Sequence, residues 1–113
     1  MIVIDLVRSG KQITRFKVSG HAGYDEEGSD IVCSAVTAVV YGALGALEEL
    51  CGMTEYEDVE EGLESDHIAF EVPKGMTTVQ QDRVYTILET MVIGLKQIEY
   101  VYGAYVTINE REV

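Results

Sequence analysis

Cysteine and histidine are the residue types in this chain best suited to nucleophilic chemistry near neutral pH, and there are two of each. One of each falls in the stretch Gly20–Thr37, which reads GHAGYDEEGSDIVCSAVT. His21 stands at the head of a glycine-rich segment whose members Gly20, Gly23 and Gly28 make a flexible loop, because glycine tolerates backbone angles that other residues avoid. Ser29 or Asp30 is of the type that caps a helix, and Cys33 follows three or four residues later, in the first helical turn. A thiol reacts as thiolate, and its unperturbed pKa of about 8.5 leaves little thiolate at neutral pH. A helix N-terminus and a neighbouring imidazolium are the two devices that lower it. The unpaired first-turn N–H groups near Ile31 to Cys33 are expected to point where an oxyanion would form. Nucleophile, base and oxyanion donors can thus come from one segment.

Each of these residues also has an ordinary reading. A cysteine in an Ala/Val-rich helix is more often a small core residue, and a loop histidine often serves a single hydrogen bond. Asp30 is a good helix cap, or else the group that orients His21, and the two roles compete for the same oxygens. Spacing alone leaves these alternatives open. Cys51 falls at a helix end with no histidine near it in sequence and is expected to be inert. His67 is placed in an exposed turn beside Asp66. A metal site built from His21, Cys33, Cys51 and His67 lacks the close ligand pairs of structural zinc sites, so neither a metal nor any other cofactor is expected. Tyr100, Tyr102 and Tyr105 are assigned to sheet packing rather than to a peptide groove.

The elements that must position the stretch follow from periodicity. Ile2 to Val7 reads as a well-covered strand, Ser9-Gly10-Lys11 as a turn, and Ile13 to Ser19 as the second strand of a hairpin. After the Gly20–Gly28 loop, Val32, Ala35/Val36, Val39, Ala43, Ala46/Leu47 and Leu50 keep helical spacing over about Asp30 to Leu50. The middle of that helix is apolar nearly all round, so more than one face needs cover. Gly42 and Gly45 cost roughly 1 kcal/mol each there, tolerable where a backbone packs closely against another element or subunit. Tyr56 to Ser65 is expected to be an acidic strand and Ile68 to Val72 a further one. A second helix over about Thr78 to Glu99 opens with a Thr78/Gln81 capping box, and Val101 to Ile108 closes the chain as a strand. The order β-β-α-β-β-α-β predicts an α/β protein of α+β type. Two helices packed on one mixed or antiparallel sheet would give it a two-layer sandwich, with residues 1–113 as a single domain.

Composition narrows the function. Twenty Asp and Glu against eight Lys and Arg give a formal net charge of −12. A field of that sign repels phosphate backbones and attracts basic partners, so nucleic acid is not expected as a direct partner. Charged residues are expected to interrupt each apolar run short of a membrane span, so no membrane association is predicted. Two cysteines make no disulfide framework. Met1-Ile2-Val3-Ile4-Asp5 lacks the basic start of a secretory signal, and a cytoplasmic location is expected.

Gly20-His21-Ala22, then Gly28, then Asp30-Ile31-Val32-Cys33 closely resembles the signature of the ribosomal-processing cysteine proteases, the Prp family. The chain length, the order of elements and the acidic character are also similar to that family. The resemblance implies that His21 and Cys33 form the catalytic pair, supported by Asp30 and by the hydroxyl residue Thr37. Ser34 and Thr37 stand where that pattern more often has Ala and Ser. It further implies a homodimer of two-layer α/β fold. Its substrate would be a basic precursor, the twenty-seventh protein of the large ribosomal subunit, which loses a short N-terminal extension after an aromatic-rich segment. The rival expectation is a non-catalytic acidic binding partner of that basic ribosomal protein.

Overall fold

The computed structural model describes residues 1–20, 30–53, 57–59 (by backbone) and 67–113. Its elements are β1 (Ile2–Ser9), β2 (Gln12–Ser19), α1 (Ile31–Cys51), β3 (Glu57–Val59), β4 (His67–Glu71), α2 (Thr78–Tyr102) and β5 (Val106–Glu112). The strands form one sheet in the order β3-β4-β2-β1-β5. β5 runs parallel to β1, and the other pairings are antiparallel. The expected order of elements and the two-layer α+β sandwich with a mixed sheet are what the chain adopts.

Alternation along the strands sets the two faces of the sheet. Ile2, Ile4 and Leu6 of β1 and Phe16 and Val18 of β2 are buried, and Phe70 of β4 joins them. Leu6 is in register with Phe16, and Phe16 with Phe70, so the three make a row across the sheet. The two phenylalanine rings stack with centroids 5.8 Å apart. Onto this face the helices bury Val32, Val36, Val40, Leu44 and Leu47 from α1 and Val84, Leu88, Met91, Val92 and Leu95 from α2.

The helices lie antiparallel. A Cβ added to Gly94 of α2 would stand 3.3 Å from Val39 of α1, and Arg83 Nη1 donates to the Leu50 carbonyl at 3.4 Å. The start of α1 and the end of α2 therefore share one end of the helix layer. α1 stops at Gly52, which takes the left-handed φ of 67° that L side chains disfavour and donates its N–H to Glu48 O at 3.0 Å.

Local differences from the sequence reading have physical causes. The capping box of α2 is built by Thr77 and Gln80, one residue earlier than expected: Thr77 Oγ1 accepts the Gln80 N–H, and Gln80 Oε1 accepts the Thr77 N–H. α2 runs on to Tyr102, although Tyr100-Val101-Tyr102 has the composition of a strand. Ile98 and Tyr102 continue its stripe onto the core, and that packing overrides local propensity. The closing strand is accordingly shifted to Val106–Glu112. Of the expected strand over Tyr56–Ser65, Glu57–Val59 is described as β3, and the remainder falls outside the described residues.

The membrane expectation needs a correction at α1. No Asp, Glu, Lys or Arg occurs between Asp30 and Glu48, and by length and composition the helix Ile31–Cys51 is apolar enough to cross a bilayer, with mean hydropathy 1.8. Val32, Val36, Val40, Leu44 and Leu47 are buried in the core, while much of the remainder is Ala and Gly, and Ile31 and Leu50 at its two ends are exposed. A core helix flanked by a second helix reaches the same composition without a bilayer.

β2 ends at Gly20, whose φ is +83°. A Cβ built there would collide with the Met1 carbonyl oxygen. Two independent reasons thus require glycine where the chain leaves the sheet. Gly20→Ala is expected to lower the unfolding free energy by about 1–3 kcal/mol, read from urea denaturation at constant slope. An unchanged midpoint would show that this backbone relaxes at no cost.

Candidate active site

α1 starts where it does because of Asp30. Its backbone is extended (φ −74°, ψ 101°), and its Oδ1 accepts the N–H groups of both Val32 and Cys33 at 3.0 Å. Its carbonyl accepts the first helical bond, from Ser34 N at 3.0 Å. Asp30 is 6% exposed, and it stands as the buried charged side chain among the described residues. The cap therefore lands on a single oxygen.

The same two bonds correct the expected oxyanion site. The N–H groups of Val32 and Cys33 were assigned to it, but both are turned back onto Asp30 Oδ1. Of the donors Ile31 to Cys33, Ile31 alone lies outside the cap.

The cap also fixes the rotational phase of α1. Val32, Val36 and Val40 are buried at helical spacing. Cys33 and Thr37, one turn apart, share the adjacent flank, where Cys33 is half-buried and Thr37 exposed. Cys33 thus sits at the border of the core in the first turn, close to the positive end of the helix dipole.

His21, Gly23 and Gly28 lie outside the described residues. The two ends of their segment are described: Gly20 against the Met1 carbonyl, and Asp30 in its cap.

The second cysteine is remote. Cys51 lies at the far end of α1, roughly 27 Å from Cys33 at 1.5 Å per residue, and neither cysteine takes part in a disulfide. Among the described residues no group of three or more His, Cys, Asp and Glu could hold a metal ion.

His67 is not in an exposed turn. It is the first residue of β4, half-buried and in register with Ser19. The second histidine therefore stands beside the strand end that leads into Gly20-His21. Tyr100 departs from its sheet-packing assignment: it lies on α2 and is 90% exposed. Tyr102 and Tyr105 do pack against the core.

A charged cluster ties the far end of β1 to α2 and β5. The Arg8 guanidinium donates to both carboxylate oxygens of Glu89 and to Glu110 Oε1. The hydrogen bond to Glu89, ahead of the charge of either acid, pushes the pKa of Arg8 above its ordinary value. With its donors committed to internal acids, Arg8 is a structural clamp.

Comparison with known proteins covers this whole arrangement. The family model "Cysteine protease Prp" matches residues 1–107. The ribosomal processing cysteine protease Prp of Bacillus subtilis is 35% identical over 92 residues, covering 81% of this chain and 80% of that protein. Its counterpart from Staphylococcus aureus is 30% identical over 111 residues, covering 96% and 98%. Among solved structures, a Streptococcus mutans protein superposes with a TM-score of 0.84 at 24% identity, covering all of this chain and 96% of that one, a likeness of fold. The Staphylococcus aureus ribosomal processing protease with a covalently linked product peptide superposes with a TM-score of 0.73 at 28% identity, covering 98% of this chain and all of that one. Matched by the family model along nearly its entire length and by relatives at 30% identity and above, this chain belongs to the Prp family of cysteine proteases.

Proposed function

We propose that the chain is the endopeptidase that removes the N-terminal extension of the twenty-seventh large-subunit ribosomal protein, with Cys33 as nucleophile and His21 as general base and acid. The observation that carries the assignment is the placement of Cys33 in the first turn of a helix whose start is fixed by a buried Asp30 cap. The curated relatives are named as ribosomal processing proteases, and the Staphylococcus aureus structures hold a substrate peptide and a covalently linked product peptide. A basic ribosomal precursor also suits a chain of net charge −12. Membership of a protease family sets aside the non-catalytic binding partner.

In this reading the imidazole of His21 takes the Cys33 thiol proton, and the thiolate attacks the scissile carbonyl carbon to form a C–S bond. The imidazolium returns the proton to the departing amine as the C–N bond breaks. A water molecule, deprotonated in turn by His21, attacks the thioester and releases the acid product and the thiol. Asp30 orients the imidazole. The Ile31 N–H is the first-turn donor left for the oxyanion, and Thr37, one turn along the same flank, supports the thiol. The loop glycines Gly20, Gly23 and Gly28 let His21 approach. We further assign the protein to the cytoplasm as a single-domain homodimer.

Cys33→Ala should abolish cleavage of the extended ribosomal protein with the far-UV circular dichroism spectrum unchanged. Full activity in that variant would remove the assignment. The two roles of Asp30 separate by substitution. Asp30→Ala loses the cap and should cost about 0.5–2 kcal/mol of stability, whereas Asp30→Asn keeps a capping oxygen and should cost little. A thermally unaltered Asp30→Asn enzyme with reduced kcat would show the orienting role, and unreduced kcat would leave Asp30 a cap alone.

A further inference from the structure

We propose that Glu99 guards the open edge of the sheet, holding β5 closed to edge-to-edge pairing with β5 of a second copy of this chain. Among the described residues β5 is an edge strand, with β1 as its one neighbour in the sheet order. The register from Ile2↔Val106 to Arg8↔Glu112 is unbroken and parallel. It is flanked by the bonds Ile2 N–H to Tyr105 O at 2.8 Å and Val113 N–H to Arg8 O at 2.9 Å. In a parallel ladder alternate residues turn both backbone groups to the same neighbour. Here Thr107, Asn109 and Arg111 face β1, while Val106, Ile108, Glu110 and Glu112 present their N–H and C=O groups outward. Such a row is a template for another strand.

The row is interrupted at its centre. Glu99, half-buried near the end of α2, accepts the Ile108 N–H on Oε2 at 2.7 Å. This is a charge-assisted bond at the short end of the normal range. The carboxylate makes it although Lys96, one turn back on α2, is close enough to β5 to reach Glu110 at 3.5 Å. An arriving strand would meet a carboxylate where it needs a donor. Two β5 edges related by a two-fold axis, the closure an antiparallel pair of identical strands offers, would bring two such carboxylates towards each other. Glu112 adds like charge along the same strand, Glu110 being paired with Arg8 and Lys96. Any dimer of this protein therefore forms through another face.

The test uses the full chain. In the wild type at low concentration, hydrogen exchange followed by NMR should show the Ile108 amide protected, and the other outward amides, of Glu110 and Glu112, exchanging at least about tenfold faster. Glu99→Ala should accelerate the Ile108 amide by a similar factor. In sedimentation velocity it should form species larger than the wild type's own assembly as concentration rises, with Ile108 protection returning in those species. Glu99→Gln, which keeps an acceptor and the side-chain volume, should restore wild-type sedimentation. An Ile108 amide in the wild type as fast as those of Glu110 and Glu112 would overturn the proposal without recourse to any variant. So would a folded Glu99→Ala protein that sediments like the wild type at every concentration.

Discussion

One buried oxygen, Oδ1 of Asp30, determines how the helix layer meets the sheet. A helix start leaves four N–H groups without partners, and burying that start requires an acceptor that arrives with the chain. Asp30 supplies it for Val32 and Cys33 together. Because successive helical residues are about 100° apart, a cap fixed to one residue fixes the phase of the whole helix. Val32, Val36 and Val40 go inward, and Cys33 and Thr37 go to the flank. A start displaced by one residue would put the thiol in the slot of Val32, sealed among valines and leucines. The cap also changes what the helix end can offer a reaction. With two first-turn N–H groups committed, the helix acts on the thiol mainly through its dipole field and less through direct donors.

The two ends of the Gly20–Asp30 segment are set by different kinds of structure. At Gly20 the sheet dictates: β2 ends against the Met1 carbonyl in a conformation that excludes a side chain. At Asp30 the helix dictates. The ladder that pairs Val3 with Ser19 and Ser19 with His67 ties the first end into three strands. The hydrophobic row Leu6, Phe16, Phe70 and the valines of α1 then hold sheet and helix at a fixed separation. The two described ends of the segment that carries His21, Gly20 and Asp30, are thus fixed by the sheet and by the helix of one packed frame.

What the sequence disclosed, and what it withheld, divides by the range of the interaction. Helical and strand periodicity, the Asp30 cap type and the Gly20–Cys33 signature are local, and all were legible. The order of elements and the two layers followed from them. The strand order was not legible, since β1 pairs with β5 across the length of the chain through contacts that no local pattern encodes. The end of α2 was misplaced because Tyr100-Val101-Tyr102 favours a strand locally, while the core contact of Tyr102 that keeps it helical is tertiary. His67 was misplaced because Asp66 beside it suggested a turn, whereas its partner Ser19 is distant in sequence. The oxyanion donors were misassigned for a subtler reason. The cap was recognised, but not that one carboxylate oxygen would take two of the three N–H groups at once.

Charge completes the argument, because it is placed where the fold gains little from it. α1 carries no charge along its length until Glu48 and Glu49, which sit exposed in its last turns with no basic residue of α1 itself beside them, Arg83 of α2 reaching only the Leu50 carbonyl. Negative charge at a helix C-terminus opposes the dipole and costs a few tenths of a kcal/mol or more per residue. The cations, by contrast, are partly consumed internally, with Arg8 clamped between Glu89 and Glu110 and Lys96 leaning on Glu110. Acids set against the local preference of their helix, and bases spent on acids inside the fold, leave an outward field more negative than stability calls for. Such a field raises the encounter rate with a cationic chain, and its effect reaches about 8 Å at physiological salt. In the function proposed above, the acidity of the surface and the capped thiol at the start of α1 are two parts of one arrangement, the first gathering a basic polypeptide and the second presenting the nucleophile.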